Sequence, residues 1–188
     1  LPARHIYLWG APGSGRSHLL RAAADAARAT GRPAHLLGAE AVEDNLPETT
    51  GALLAIDDVD QLAPAAQIAL FNAFNRARGN GQSLLLSGPA APLGLAVRED
   101  LRTRIGQSLI FQVQPLDDAA RTGILTTLAA RRGLRLADEV VDFLLRHGRR
   151  DLASLLAVLD ALDRASLERK RPITLPLLRE MIQQGLEI

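Results

Sequence analysis

The stretch that decides the fold is YLWGAPGSGRSHLL, Tyr7 to Leu20. An apolar run leads into Gly10, Ala11, Pro12, Gly13, Ser14 and Gly15. Arg16, Ser17 and His18 then open a segment rich in Leu and Ala. The spacing follows the phosphate-binding pattern G-x-x-x-x-G-K-[ST]. In that pattern glycines let successive backbone N–H groups converge on phosphate oxygens at a helix N-terminus, and lysine reaches the terminal phosphates. Here Arg16 stands in the lysine position. A tight strand-to-helix turn of small residues looks the same, so the loop alone leaves both readings open.

A second stretch bears on the choice. In LLAIDDVD, Leu53 to Asp60, an apolar strand ends in adjacent carboxylates, the Walker B form. A carboxylate there can hold Mg²⁺ through its waters, opposite a Ser17 hydroxyl that also reaches the ion, and a second can orient an attacking water. We assign Asp57 to the first role and Asp58 to the second. An isolated DDVD would more simply cap a strand; paired with the loop upstream, it reads as the metal side of a nucleotide site.

Around these two motifs, short apolar runs recur at HIYLW (5–9), PAHLL (33–37), ALLAID (52–57), SLLLS (83–87) and LIFQV (109–113). They read as buried strands. The helical stretches between them predict β-α alternation and a five-stranded parallel sheet with flanking helices. Gly31 and the Gly79-Asn80-Gly81 cluster are the expected helix stops. After Val113 the texture changes: PLDD offers a proline and then Asp caps, and no further strand is predicted. Leu152, Leu155, Leu156, Leu159 and Leu162 fall on one helical face, as do Val140, Phe143, Leu144 and His147. Pro172 ends one helix and a last one starts near Leu175 or Pro176. The expected boundary is near residue 114, giving an α/β part at 1–114 and a small all-helical lid at 115–188.

Composition narrows the classes. There is no cysteine, which removes disulfides and thiolate chemistry and suits a reducing cytoplasmic setting. Lys and Arg number 22 against 21 Asp and Glu, so no global basic field drives binding to nucleic acid. No apolar run approaches a membrane span, and the four histidines have no metal-ligand spacing. Basic points at ARRG (130–133), HGRR (147–150) and ERKR (168–171) flank helix ends, where cations suit the helix dipole. Tyr7 and Trp9 read as packing residues rather than base-stacking ones. The chain opens at Leu1, almost directly on a strand, which leads us to expect a further N-terminal segment in the natural protein.

The order of motifs, from phosphate loop through IDD, the strand LLLS, the segment TRI and a lid opening PLDDAAR, resembles the AAA+ ATPases. Within that superfamily, GAPGSGRSHLL, LLAIDDVDQL, LRTRIG and ALDRASLERKRPIT are similar to the DnaA-like branch, and in particular to the Hda-type regulators of the initiator. The resemblance covers essentially the whole chain, and arginine in the loop is a feature it shares with Hda relatives. It implies bound ADP or ATP with Mg²⁺ between base and lid, and a regulatory role with the initiator DnaA and the DNA polymerase sliding clamp.

By the same resemblance Arg104 in TRI matches the arginine finger that acts on another molecule's nucleotide, with Arg98 and Arg102 ranked below it. Ser87 ends the strand where the sensor 1 region lies, but GPAAP after it lacks the acidic residue expected in that turn. The sensor 2 position falls on Ala153, and Arg150, about a turn earlier, is the candidate substitute. The initiator's DNA-binding domain would follow Ile188, so no sequence-specific DNA binding is expected. The clamp-binding peptide of Hda proteins is expected ahead of Leu1. Homo-oligomerisation stays open. With Arg16 in the loop and Ala153 in the lid, slow intrinsic hydrolysis is expected. Three other readings remain at this point: a helicase-loader-type AAA+ ATPase, a P-loop small-molecule kinase, and a nucleotide-free scaffold whose loop is a relic.

Overall fold

The computed structural model describes residues 5–149 and 152–188. One compact unit runs to Pro115, and a second extends from Leu116 to Ile188.

In the first unit the elements alternate: β1 (Ile6–Trp9), α1 (Arg16–Ala29), β2 (Ala34–Leu37), β3 (Leu53–Ile56), α2 (Pro64–Asn80), β4 (Ser83–Gly88), α3 (Glu99–Gly106) and β5 (Leu109–Gln112). The strands form one parallel sheet in the order β2-β3-β4-β1-β5. Each strand's two faces are read out by alternation. Tyr7, Leu54, Ile56, Leu84 and Leu86 face the cluster built with α2 and α3, while Leu8, Ala55 and Leu85 pack with Leu20 of α1. Helices on both faces are what parallel strands joined by crossovers require. The Ala-rich composition finds its use in α2, where Ala66, Ala69, Ala73 and Ala77 are buried.

Three expectations change. β5 is not buried: Leu109, Ile110 and Phe111 are exposed, because this strand lies at the edge of the sheet and pairs only with β1. Gly79 and Asn80 continue α2, which stops at Gly81 (φ 70°), the first residue there in the left-handed region. His147 leaves its packing stripe for the surface, its ring tilted on Phe143 with centroids 4.6 Å apart.

His5 ties the start of β1 to the core. Its Nδ1 accepts the Leu84 N–H at 3.2 Å, and its ring meets Phe74 edge-on with centroids 5.1 Å apart. Burial pushes the imidazole below its ordinary value of about 6.5, since the charged form is desolvated there. A depressed histidine pKa means the unfolded chain takes the proton first. The contribution is therefore complete above the ordinary value and is lost as pH falls below it. In urea unfolding the midpoint of the wild type should fall more between pH 7 and 5.5 than that of His5→Gln; equal losses would contradict this role.

The second unit consists of α4 (Asp118–Arg131), α5 (Asp138–His147), α6 (Leu152–Arg169) and α7 (Leu175–Gln183). Asp117 caps α4 by accepting the Ala120 N–H at 2.7 Å. One cluster joins Val140 and Leu144 to Val158, Leu162, Leu178 and Met181; a smaller one holds Leu125, Val141 and Leu155. Arg150 lies outside the described residues, as do the side chains of Leu152 and Ala153. Two of the basic points are engaged locally: Arg132 pairs with Asp160, and Arg169 pairs with Glu180 at 2.6 Å. Among the described residues no helix is long and apolar enough to cross a membrane.

Candidate nucleotide-binding site

β1 runs between β4 and β5, and the chain leaves its C-terminal end at Gly10. Gly10 approaches the backbone so closely that a Cβ there would stand 2.2 Å from the Val113 carbonyl oxygen and 2.9 Å from Ser14 Oγ. Gly10→Ala should cost about 1–3 kcal/mol, because the first obstacle is backbone and cannot rotate away. Urea unfolding of the variant would show it, and an unchanged midpoint would mean that the loop gives way freely.

The loop then turns on two glycines in the left-handed region, Gly13 (φ 77°) and Gly15 (φ 98°), and Gly15 is the N-cap of α1. Among the described residues no side chain caps this helix, and no acidic residue sits in its first turn. Its leading N–H groups and its positive dipole end therefore remain available to an anion.

Two buried polar groups of the loop have no protein partner among the described residues, Ser14 Oγ and Arg16 Nη1. The Arg16 side chain is only 10% exposed, and its Nη2 lies 3.2 Å from Asp58 Oδ1. A buried guanidinium with one amine unpaired is costly unless something completes it. A phosphate oxygen is the chemistry that fits both Arg16 and the uncapped helix end.

Opposite the loop, β3 ends at Ile56 and delivers Asp57 and Asp58. The register of β3 with β4 carries Ile56 beside Leu86, so the next residues along, Asp57 and Ser87, become neighbours. Ser87 is fully buried; its hydroxyl donates to Asp57 Oδ1 and accepts the Asp58 N–H at 3.0 Å. The hydroxyl thus joins the Asp57 carboxylate to the Asp58 backbone and holds the two residues in place. Asp58 adopts a left-handed conformation (φ 47°, ψ 59°), uncommon for a residue with a side chain. Burial pushes its carboxyl above the ordinary range and neighbouring Asp57 adds to this, while Arg16 opposes it.

Ser17, Arg21, Gly38, Glu40, Asp57 and Asp58 line a cleft of about 410 Å³. The Ser17 hydroxyl and the Asp57 carboxylate are hard oxygen donors suited to Mg²⁺. Among the described residues no cluster of three metal-ligating side chains occurs. Mg²⁺ is commonly held by one or two protein oxygens while it keeps several waters and bridges nucleotide phosphates. His18 is exposed in the first turn of α1. Tyr7 is fully buried, and its hydroxyl donates to the Ala90 carbonyl at 2.6 Å, so it packs the core. A larger hollow of about 600 Å³, lined by Pro92, Leu93, Arg102 and Ile110 among others, shares no residue with this cleft.

Arg104 sits elsewhere. α3 joins the end of β4 to the start of β5, and because those strands run parallel it must return to the N-terminal edge of the sheet. Arg104 lies in its last turn, while the phosphate loop lies at the C-terminal edge; four strand residues alone span about 13 Å. Its Nη2 donates to Asn75 Oδ1 at 2.8 Å and its guanidinium lies 5.6 Å from the centre of the Phe71 ring. Its neighbours have local partners: Arg98 pairs with Asp100 at 2.8 Å, and Arg102 Nη2 lies 3.4 Å from the Val97 carbonyl oxygen.

The sequence had not suggested the pairing of Arg16 with Asp58 or the clamp of Ser87 on the two carboxylates. The second was within reach: Ser87 is a hydroxyl directly after three leucines in β4, and parallel register with ALLAID sets it beside the first aspartate.

Residues 118–182 match the family described as Hda, lid domain. An uncharacterized protein of Haemophilus influenzae is 33% identical, over 94% of this chain and 80% of its own length. Among solved structures, domain III of the Thermotoga maritima replication initiation protein DnaA superimposes with a TM-score of 0.76 at 17% identity, covering 99% of this chain and 86% of that one. AMPPCP-bound DnaA from Aquifex aeolicus gives 0.73 at 23% identity, covering 89% of this chain. The chain spans only 57% of that initiator's length. At these identities the two structures speak to the fold.

Proposed function

This chain belongs to the Hda-like, DnaA-related branch of the AAA+ proteins, and on that premise we propose that it regulates replication initiation. In this reading it holds ADP or ATP in its own site and promotes hydrolysis of ATP bound to a DnaA-type initiator. Arg104 acts across the interface, together with the sliding clamp loaded on DNA.

The observation that carries the reading is the separation of two arginines. Arg16 is buried in the chain's own loop, whereas Arg104 stands at the other edge of the sheet, beyond reach of that loop. That position favours service to a nucleotide presented by another molecule over any role at the chain's own loop. Positive charge supplied in this way at a transferring phosphoryl group is worth about 10³–10⁵ in rate. Asn75 and Phe71 hold the guanidinium partly ordered before any partner arrives, which lowers the entropy lost on docking.

In the chain's own site the loop N–H groups, Ser14 and Arg16 would hold the phosphates, and Ser17 with Asp57 would hold Mg²⁺. The ion would neutralise phosphate charge there. Ser87 keeps Asp57 and Asp58 fixed. Intrinsic hydrolysis should be slow, on the order of 10⁻³ per second or below, the range of NTPases that lack an inserted arginine. A turnover above about 1 per second would refute this.

The direct test adds the protein to ATP-loaded initiator with clamp and DNA and follows conversion of ATP to ADP. Acceleration that depends on the clamp supports the reading, and no acceleration contradicts it. Single-stranded DNA binding with no effect on the initiator would instead favour a helicase-loader role.

A further inference from the structure

A guanidinium offers two terminal amines in one plane, and in Arg16 they have different fates. Nη2 is on Asp58 Oδ1 at 3.2 Å; Nη1 is buried and has no protein partner among the described residues. The side chain is nine-tenths enclosed, so water cannot easily complete the second amine. Asp58 is held from behind as well, since its N–H is bonded to the buried Ser87 hydroxyl. An incoming phosphate oxygen can therefore satisfy Nη1 while Nη2 stays where it is.

We propose that Arg16 bridges the two: it binds nucleotide phosphate through Nη1 while keeping Asp58 ion-paired through Nη2, and so acts as a brake on this chain's own hydrolysis. Asp58 is the carboxylate placed to orient an attacking water, and an ion-paired carboxylate is a poorer hydrogen-bond acceptor for that water. A lysine has one compact amine and lacks the fork that serves both partners at fixed separation. Arginine here is thus a positioning residue that favours holding nucleotide over turning it over. The proposal rests on the reading that the loop Gly10–Ser17 binds a nucleoside di- or triphosphate.

The test compares the wild type, Arg16→Lys, Asp58→Asn and the double variant. Three quantities are read: affinity for a fluorescent ADP derivative with Mg²⁺, single-turnover hydrolysis of ATP, and urea-unfolding midpoints with and without saturating ADP. Arg16→Lys should bind ADP and hydrolyse ATP about tenfold faster than wild type, and the double variant should lose that gain. The coupling between the two positions in the unfolding midpoints should be the same with and without ADP. Arg16→Lys that binds ADP yet is no faster overturns the brake. Loss of the coupling when ADP is present overturns the bridge, because the pair then opens on binding. If neither wild type nor Arg16→Lys binds nucleotide, the site reading itself falls, a failure that the affinity measurement distinguishes from the other two.

Discussion

Arg104→Ala should reduce the stimulated hydrolysis of initiator-bound ATP by about 10³-fold, while the protein's own affinity for ADP stays within about twofold. The asymmetry follows from the sheet. Arg104 lies in the last turn of α3 at the N-terminal edge, and the loop that begins at Gly10 lies at the C-terminal edge. Loss of the bond to Asn75 and of the stacking on Phe71 removes contacts that stand at the surface of the α2–α3 pair. Stability should fall by no more than about 1 kcal/mol, so the variant remains folded for assay. Arg104→Lys should recover only a small part of the effect, since an ammonium lacks the planar fork that spreads charge over phosphoryl oxygens. Arg98→Ala and Arg102→Ala should change the stimulated rate by less than tenfold, because those side chains are engaged with Asp100 and Val97. Stimulated rates measured side by side for these variants check the assignment, and an Arg104→Ala protein as active as wild type removes it.

Arg16→Ala should weaken binding of ADP and ATP by about 10²-fold, the scale of losing a charged hydrogen bond in an enclosed site. It also leaves Asp58 among Asp57, Asp60 and Glu40 with no opposing cation of its own. These charges already act with burial to raise its carboxyl, and Arg16 was the one contribution holding it down. A carboxyl whose folded value is raised contributes stability that is complete below the unfolded value and is lost as pH rises through the folded one. The stability deficit of Arg16→Ala against wild type should therefore be larger at pH 7.5 than at pH 4.5. Titration calorimetry with ADP and urea unfolding at the two pH values measure both parts; undiminished binding would leave the loop without its central cation.

The fold was legible because the strands announce themselves twice, as apolar runs and as the parts between helical segments. Tyr7 and Leu8, or Leu54 and Ala55, read as one continuous apolar stretch, which is what a strand covered on both faces looks like. LIFQV carries the same signature yet lies exposed at the edge of the sheet. Local composition cannot distinguish an edge from an interior strand, because strand order is set by crossovers between distant segments.

The site was legible where backbone chemistry dictates residue type: left-handed Gly13 and Gly15, and carboxylates at a strand's end. It was not legible where side chains choose among partners. Resemblance alone put Ser87 in the sensor 1 region; that its hydroxyl bonds Asp57 and the Asp58 N–H shows only in three dimensions. Nothing in the spacing of Arg16 and Asp58 shows that they meet, and that contact turns an apparent departure from the lysine pattern into a device with its own consequence. The arginine expected to substitute in the lid, Arg150, lies outside the described residues.

Labelling one nucleotide pool shows whose nucleotide is hydrolysed. The initiator is loaded with ATP labelled on the γ-phosphate and freed of excess nucleotide, while this protein is given unlabelled ADP; the two are then mixed on DNA carrying the clamp. Labelled phosphate should be released faster by orders of magnitude with wild-type protein than without it, and Arg104→Ala should abolish the gain. Label released at the same slow rate with and without the protein would contradict it.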